Sequence, residues 1–307
     1  MKKMIVRADD VGYTHVFNLG TFESITNGVV TSADVMLESP GTVEALKLLK
    51  EMPWISVGWH THFWCSPVLP VEQVPSLLIP GTDRFRHDIL TTDEIDPAEL
   101  EAECHAQMKR CIQLLGKVPD TTNLPVNQTV FNTVKKKICD EYGIAYQFGV
   151  KLGRNAVDKP LEKWADRKIY VPSPVNAYKE AENESITDQY ERYDPVKYYT
   201  EDPDHLLDLP DDVIVEQSWH PGYVDYYMYQ LGDQGPARNK FTVIRTKDVE
   251  ALTSERMKKW IRDNELELVS FTDALHGTSH YQNHLKFTGS ELYIGNILRS
   301  EDQRRDG

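Results

Sequence analysis

No stretch of the 307-residue chain comes near the ~20 apolar residues that carry a helix across a membrane. Positive charge is in deficit: 34 Lys and Arg stand against 48 Asp and Glu, a formal charge of −14. That balance speaks against a nucleic-acid surface and for a soluble, self-repelling chain. Cysteine is sparse. The four, Cys65, Cys104, Cys111 and Cys139, have no CxxC spacing and too low a density for a disulfide scaffold. Cys104 and Cys111 fit the buried side of one helix, so packed thiols in a reducing cytoplasm are the simplest expectation. The first residues run straight into an apolar strand, without the basic, apolar and small-residue blocks of a signal peptide. Internal repeats and low-complexity blocks are absent too. What remains is a globular chain long enough for one large α/β domain or two smaller ones.

The hydrophobic pattern alternates between strand and helix. Met4, Ile5 and Val6 read as a short buried strand. Val16, Leu19, Phe22, Ile25 and Val29 mark one helical face, stopped by Asn27-Gly28. Val29–Leu37 reads as a second strand, Val43, Leu46, Leu48 and Leu49 as a second helix, and Ile55–Phe63 as a third strand. This order implies right-handed crossovers and a parallel sheet, with ligands at the carboxyl ends of the strands. Trp64–Asp96 lacks a steady period and reads as a long loop over that edge, its Arg84, Arg86 and His87 best taken as solvated charges. Pro97 opens a helix whose stripe is Leu100, Cys104, Met108, Cys111 and Leu115, with Gly116 as the stop.

Further on, Val118–Gln128 should hold a short strand and a loop, Val130, Val134, Ile138 and Tyr142 a helix stripe, and Ile144–Val150 a strand. Residues 151–212 are acidic, rich in tyrosine and broken by prolines, and read as an irregular insertion. Val213–Trp219 is a strand, Ser254–Glu265 a helix and Leu266–Phe271 the last strand. Roughly six or seven strand–helix units fall short of the eight of a full barrel. The expected fold is α/β: a distorted (β/α) TIM-like barrel of mostly parallel strands. It forms a single domain over residues 1–277 with the insertion at about 151–212, and residues 278–307 form a tail with too little pattern for a core element.

Chemistry gathers at three strand ends. Ile5–Gly12, IVRADDVG, closes an apolar run with Asp9 and Asp10. Two like charges so close are costly unless a metal, a proton or a cation lies between them. The plainer alternative is an Asp-Asp-Gly turn in which one carboxylate caps the next helix. His60 and His62 end the third strand; two apart, they share a face and could look into one site, or be ordinary rim residues. His220 ends a later strand beside Pro221 and Gly222, as a turn residue or as a site residue.

These blocks together resemble the YdjC-like carbohydrate deacetylases, the group that includes chitooligosaccharide deacetylases, distantly similar to NodB-type polysaccharide deacetylases. Ala8–Gly12 looks like the family's ADDFG. Asn18-Leu19-Gly20 with Asn27–Ser32 looks like its N-x-G…NG-[IV]-VTS run, and Val57–His60 like its VG-x-H. Glu216 with His220-Pro221-Gly222 looks like its E…HPG block, and Arg245, Leu252, Thr253 and Ser254 are similar to its closing R…L-x-S helix. The likeness runs in order from about Met4 to Leu275.

The resemblance implies a distorted barrel with a divalent metal at the carboxyl face and hydrolysis of an N-acetyl group from an amino sugar. It makes Asp10 and His60 metal ligands and Asp9 the base that takes a proton from water. It places His220 to protonate the leaving amine or to hold the substrate. One departure stands out. The family's third ligand is a histidine in a D-x-H-x-H-x-H strand, and the corresponding Pro119–Gln128 has none. His62 could take that position. If only Asp10 and His60 bind, a Mg2+-like ion fits better than Zn2+. Candidates for substrate contact are Trp59, Trp219, Tyr223 and Arg245, with Trp64 nearby; each aromatic could equally be core.

The reading is a metal-dependent deacetylase acting on an acetylated amino sugar or oligosaccharide, with no nucleic-acid or membrane partner and a homodimer as the default assembly. The alternatives are a catalytically silent sugar- or protein-binding relative, favoured by the missing ligand, and another metal-using sugar enzyme.

Overall fold

A computed structural model describes residues 2–123, 128–147, 162–164, 166–170, 186–202, 205–226 and 236–305 of the protein. The chain opens with β1 (Lys3–Val11), α1 (His15–Thr26), β2 (Ser32–Val35), α2 (Thr42–Lys50) and β3 (Ser56–Trp59). After the long loop come α3 (Pro97–Leu115), β4 (Thr121–Thr122) and α4 (Val130–Tyr142). β5 (Ile169–Tyr170), α5 (Ile186–Arg192), α6 (Pro195–Glu201) and β6 (Ile214–Trp219) follow. The chain closes with α7 (Pro236–Thr253), α8 (Glu255–Asp263), β7 (Glu267–Leu268), α9 (Phe271–His276), α10 (His280–Thr288) and α11 (Ile294–Arg305).

The described strands form one seven-stranded sheet in the order β4-β3-β2-β1-β6-β5, with β7 also on β1. Every pair among the described strands is parallel. Strand–helix alternation forces this arrangement, because each crossover helix must return over the same face. The sheet curls into a half-barrel, consistent with the expected distorted TIM-like barrel, with β1 in mid-sheet. Helix ends are set locally. Asp96 caps α3 by accepting from the Ala98 N–H, Pro97 fills its first turn, and Gly116 ends it at φ 93°. Thr14 caps α1 and Thr129 caps α4 in the same way.

Several strands are shorter than their apolar runs. β3 stops at Trp59, so His60 and His62 lie beyond the sheet, and β2 covers only Ser32–Val35 of the run Val29–Leu37. Of the expected strand Ile144–Val150, Ala145 bridges Thr121 in parallel, and residues 148–150 lie outside the described residues. Of the 151–212 insertion, residues 151–161, 165, 171–185 and 203–204 also lie outside them, and β5, α5 and α6 fall in its described parts. The tail is more than the sequence suggested. Tyr281, Leu285 and Leu292 join the main core. The Asp273 carboxylate, part of the α9 capping box, accepts from the N–H groups of His280 and Tyr281 and holds the tail's start.

The core has two layers. Met4, Val6 and Ala8 pack outward beneath the helices. Ile5 points inward to a floor of Ala145, Trp164, Ile169, Val269, Phe271 and Leu275. Above that apolar floor the barrel interior turns ionic, and the candidate site lies there.

Candidate metal centre

β1 climbs the barrel interior in two-residue steps: Ile5 at the floor, then Arg7, then Asp9. Strict alternation would send Asp10 outward. Instead the register with β2 slips between Ala8 and Val11, and Asp10 takes φ 59°. This bulge turns the Asp10 carboxylate back into the barrel. A non-glycine residue in that region costs about 1–3 kcal/mol, and aspartate is among the few that visit it routinely. Asn18 holds the turn that follows. Its Oδ1 accepts the Gly12 N–H at 2.9 Å and its Nδ2 donates to the Gly41 carbonyl at 3.0 Å. Gly12 itself sits at φ 90° against the Thr42 backbone, where only glycine is unstrained.

Two imidazoles converge on one carboxylate oxygen. Oδ1 of Asp10 lies 2.9 Å from Nε2 of His60 and 3.5 Å from Nε2 of His62. The two imidazoles stand edge to face at 4.3 Å. Asp10, His60 and His62 offer ligand atoms that all lie within 4.8 Å of one another. Asp10 Oδ1 and His60 Nε2 are buried without a hydrogen-bond partner despite their proximity. Buried polar atoms left unpaired beside a second imidazole fit a cation. The set of two nitrogens and an oxygen is one that divalent transition ions favour.

Charge around the point agrees. Burial alone would lower the basicity of His60, but Asp9, Asp10 and Asp34 together push it up to about 10. The carboxylates thus hold a proton where a dication could sit. His62 is pushed down to about 3 by burial and by His60, which leaves its ring neutral and its lone pair available. Burial would raise Asp10, yet Arg245 and His60 hold it well below the usual carboxylate range. Arg245 pairs with Oδ2 of Asp10, so Oδ1 is the oxygen turned toward the histidines. On the far side of His60, Nδ1 faces Oδ2 of Asp34 at 3.9 Å. Asp34 fits there because Gly58 has no side chain: a Cβ on Gly58 would meet the Asp34 carboxylate at 1.9 Å.

Asp9 has different company. Arg7 grips it in a fork, Nε to Oδ1 at 2.6 Å and Nη2 to Oδ2 at 3.2 Å. The same guanidinium donates to Ser218 Oγ at 2.7 Å and Asn123 Oδ1 at 3.1 Å, and lies 3.4 Å from Glu216. Burial pushes Asp9 up, but Arg7, His60 and His220 outweigh it and leave the carboxyl below its ordinary value. A buried arginine answered on several sides is fixed in place, and so is the carboxylate it holds.

His220 reaches the site from the end of β6, its Nε2 4.0 Å from Oδ2 of Asp9. Burial, and then Arg245, push its ring down to about 4. Its backbone N–H donates to Asp248 at 3.0 Å, and Tyr193 donates to the other Asp248 oxygen at 2.8 Å. Arg245 and Asp248, three apart on α7, thus serve the two halves of the site. The turn carrying His220 lies flat on α1. A Cβ on Gly222 would enter the Phe17 ring at 2.1 Å, and one on Gly20 would meet the Gly222 Cα at 2.8 Å. Thr21 Oγ1 donates to the Pro221 carbonyl at 2.8 Å.

The expected substrate contacts fare differently. Trp59 and Trp219 are 1% and 2% exposed and belong to the core, which corrects their reading as sugar platforms. Alternation explains it. His60 and Ser218 face the interior, so their neighbours face the helices, with Trp59 Nε1 donating to Gln107 on α3 and Trp219 packing on Tyr199. Arg245 is in the site, but on Asp10. Tyr223 is exposed. Trp64 stacks on His62 at 4.1 Å. Sequence reading missed Arg7, Asp34, Lys135 and Asp248. Arg7 carried a signal, since a charge inside an apolar strand two residues before Asp9 must share its face.

A family model described as YdjC-like protein matches residues 3–263. A carbohydrate deacetylase of Brevibacillus brevis is 26% identical over 278 residues, 88% of this chain and 99% of that one. A chitooligosaccharide deacetylase of Proteus mirabilis is 31% identical over 118 residues, 38% of this chain and 46% of that one. Among solved structures, a protein of Enterococcus faecalis V583 described as acting in cellobiose-phosphate cleavage has a TM-score of 0.63 at 24% identity. It covers 89% of this chain and 98% of its own, and shares the fold.

Proposed function

The chain belongs to the YdjC-like family, and we propose that it works as a metal-dependent carbohydrate deacetylase, with Asp10, His60 and His62 holding the ion. The observation that carries this reading is the convergence of both Nε2 atoms on Asp10 Oδ1. His62 supplies the ligand that the stretch Pro119–Gln128 lacks. Two imidazoles and one carboxylate oxygen favour Zn2+ or a similar transition ion over Mg2+, which prefers oxygen ligands and keeps its waters. When bound, the ion polarises the amide carbonyl and makes water more acidic.

The protein's own groups do the rest. Arg7 fixes the plane of the Asp9 carboxylate, which is ionised at neutral pH and accepts a proton from the attacking water. A carboxylate held below its ordinary value by Arg7 passes this proton on readily. His220, neutral at pH 7 and 4.0 Å from Asp9, takes it and gives it to the departing nitrogen. The carbon–nitrogen bond breaks, a carbon–oxygen bond forms from water, and acetate and an amine leave. Arg245 holds Oδ2 of Asp10 and keeps Oδ1 toward the ion.

The substrate is an N-acetylated amino sugar or a short oligosaccharide, the class on which the Proteus mirabilis relative's name says it acts. Trp64, stacked on His62, is an aromatic beside the proposed ion site, and Tyr223 is exposed three residues after His220. Among the described residues no helix is long and apolar enough to cross a membrane. All four cysteines are buried free thiols, which suits the cytoplasm.

The test is acetate release from N-acetylated oligosaccharides by protein loaded with zinc, compared with His62→Ala. Release by the wild type and its loss in the variant is the expected result. A non-catalytic sugar-binding role, favoured by the absence of an imidazole from Thr121–Asn123, would instead give binding without acetate.

A further inference from the structure

α4 turns a lysine into the protein interior, against Trp59. Lys135 is 1% exposed, and its ammonium lies 5.6 Å from the centre of the Trp59 ring. Moving an ammonium out of water costs several kcal/mol even after relaxation, so this position needs a reason. A methionine would fill the same space without that cost. The reason lies in what the ammonium holds. Nζ donates to Thr61 Oγ1 at 2.5 Å and to the Asn123 carbonyl.

Both partners matter for the site. Thr61 is the residue between His60 and His62, in a stretch beyond the end of β3, where no strand pairing fixes it. Phe63, two residues on, takes φ 56°, so the chain turns sharply after His62. Asn123 follows β4, and its side-chain Oδ1 accepts from Arg7, which grips Asp9. One ammonium therefore ties the histidine pair to the segment that anchors the arginine of the proposed base. Burial pushes this ammonium down to about 8, so it is still mostly charged at neutral pH and makes charge-assisted bonds.

We propose that Lys135 is the positioning residue of the metal centre: by bonding Thr61 and the Asn123 carbonyl, it holds His62 in place as a ligand. The inference rests on the reading that His62 binds the ion. It accounts for a buried charge that the deacetylation itself does not use. It also gives a physical means by which a histidine on the β3 side serves in a site whose β4 side brings no imidazole.

The experiment is zinc affinity by chelator competition on the full chain, for the wild type, Lys135→Met, Thr61→Val and His62→Ala, and for Lys135→Met combined with His62→Ala. Outer partners of metal ligands are worth about 10–100-fold in affinity, and a loss of that size is expected for Lys135→Met and for Thr61→Val. Thr61→Val keeps the side-chain shape and the lysine, and so carries the test if Lys135→Met folds poorly. In the His62→Ala background, Lys135→Met should cost nothing further. A purely structural lysine would lower the unfolding midpoint of the metal-free protein and weaken zinc binding equally with or without His62. Affinities within twofold of wild type in both single variants, or an undiminished loss in the double variant, overturn the inference alone. A wild type that binds no zinc overturns the ion-binding reading and takes this inference with it.

Discussion

Nε2 of His62 stands 3.5 Å from Oδ1 of Asp10. The residues are fifty-two positions apart in sequence, and the contact needs two local departures from regular strand. Asp10 must turn inward at φ 59°, and His62 must leave the sheet beyond Trp59. With His60 they form a group that could hold a metal ion, with no contribution from β4 among the described residues. Removing the third member should therefore be severe. His62→Ala should lose more zinc affinity than the about 10–100-fold typical of an outer partner, measured by chelator competition. Equal affinity in the variant would take His62 out of the ligand set.

Asp9 makes a different prediction, because it faces Arg7 and His220. Asp9→Asn should lower kcat by about 10²–10⁴-fold, the usual worth of a positioned base, while zinc content stays at the wild-type level. Turnover at the wild-type rate would rule out the base role.

Arg7 tests the frame around that base. Arg7→Met removes the cation from between Asp9, Asp34 and Glu216 and leaves buried carboxylates unanswered. Breaking such a buried set costs about 3–5 kcal/mol, so the urea midpoint should fall sharply. A midpoint near wild type would mean that these carboxylates take up protons or water at little cost.

Gly222 tests the placement of His220. A methyl group there would overlap the Phe17 ring, so the turn must lift from α1. Gly222→Ala should cost about 1–3 kcal/mol of stability, as overpacking does. It should also lower kcat more than it raises KM, since His220 moves while the mouth of the site stays. A loss confined to KM would place Gly222 on the substrate side instead.

Glu38 gives a pH signature outside the ligand set. Burial pushes its carboxyl from 4.5 to about 7. The folded chain therefore keeps a proton that the unfolded chain gives up above about 4.5. Stability from this group is complete below pH 4.5 and is lost as pH rises through 7. Glu38→Gln should gain stability relative to wild type as pH goes from 5 to 8, by an amount on the order of 3 kcal/mol at most. A difference that does not change with pH would contradict this.

Much of this architecture can be read from periodicity. The first strands and helices follow their apolar spacing, and the strand ends that carry Asp9, Asp10, His60 and His220 do meet. What escaped reading has physical causes. Strand lengths were overestimated because an apolar run stays buried after it leaves the sheet, as Val29, Val30 and Leu37 do around β2. Residue type alone leaves Trp59 and Trp219 open as sugar platform or core, and alternation with His60 and Ser218 turns them to the helices. Tyr281 and Leu285 sit four apart among polar neighbours in a nine-residue helix, too short a pattern to stand out. Lys135 shows no sign in sequence at all, because its partners Thr61 and Asn123 are brought to it only by the fold.

The central claim is that Asp10, His60 and His62 hold one ion together. Anomalous diffraction at the zinc edge, from crystals grown with zinc, tests it most directly. One peak is expected about 2.0–2.2 Å from Asp10 Oδ1 and from both Nε2 atoms. No peak there, or a peak bound without His62, would contradict it.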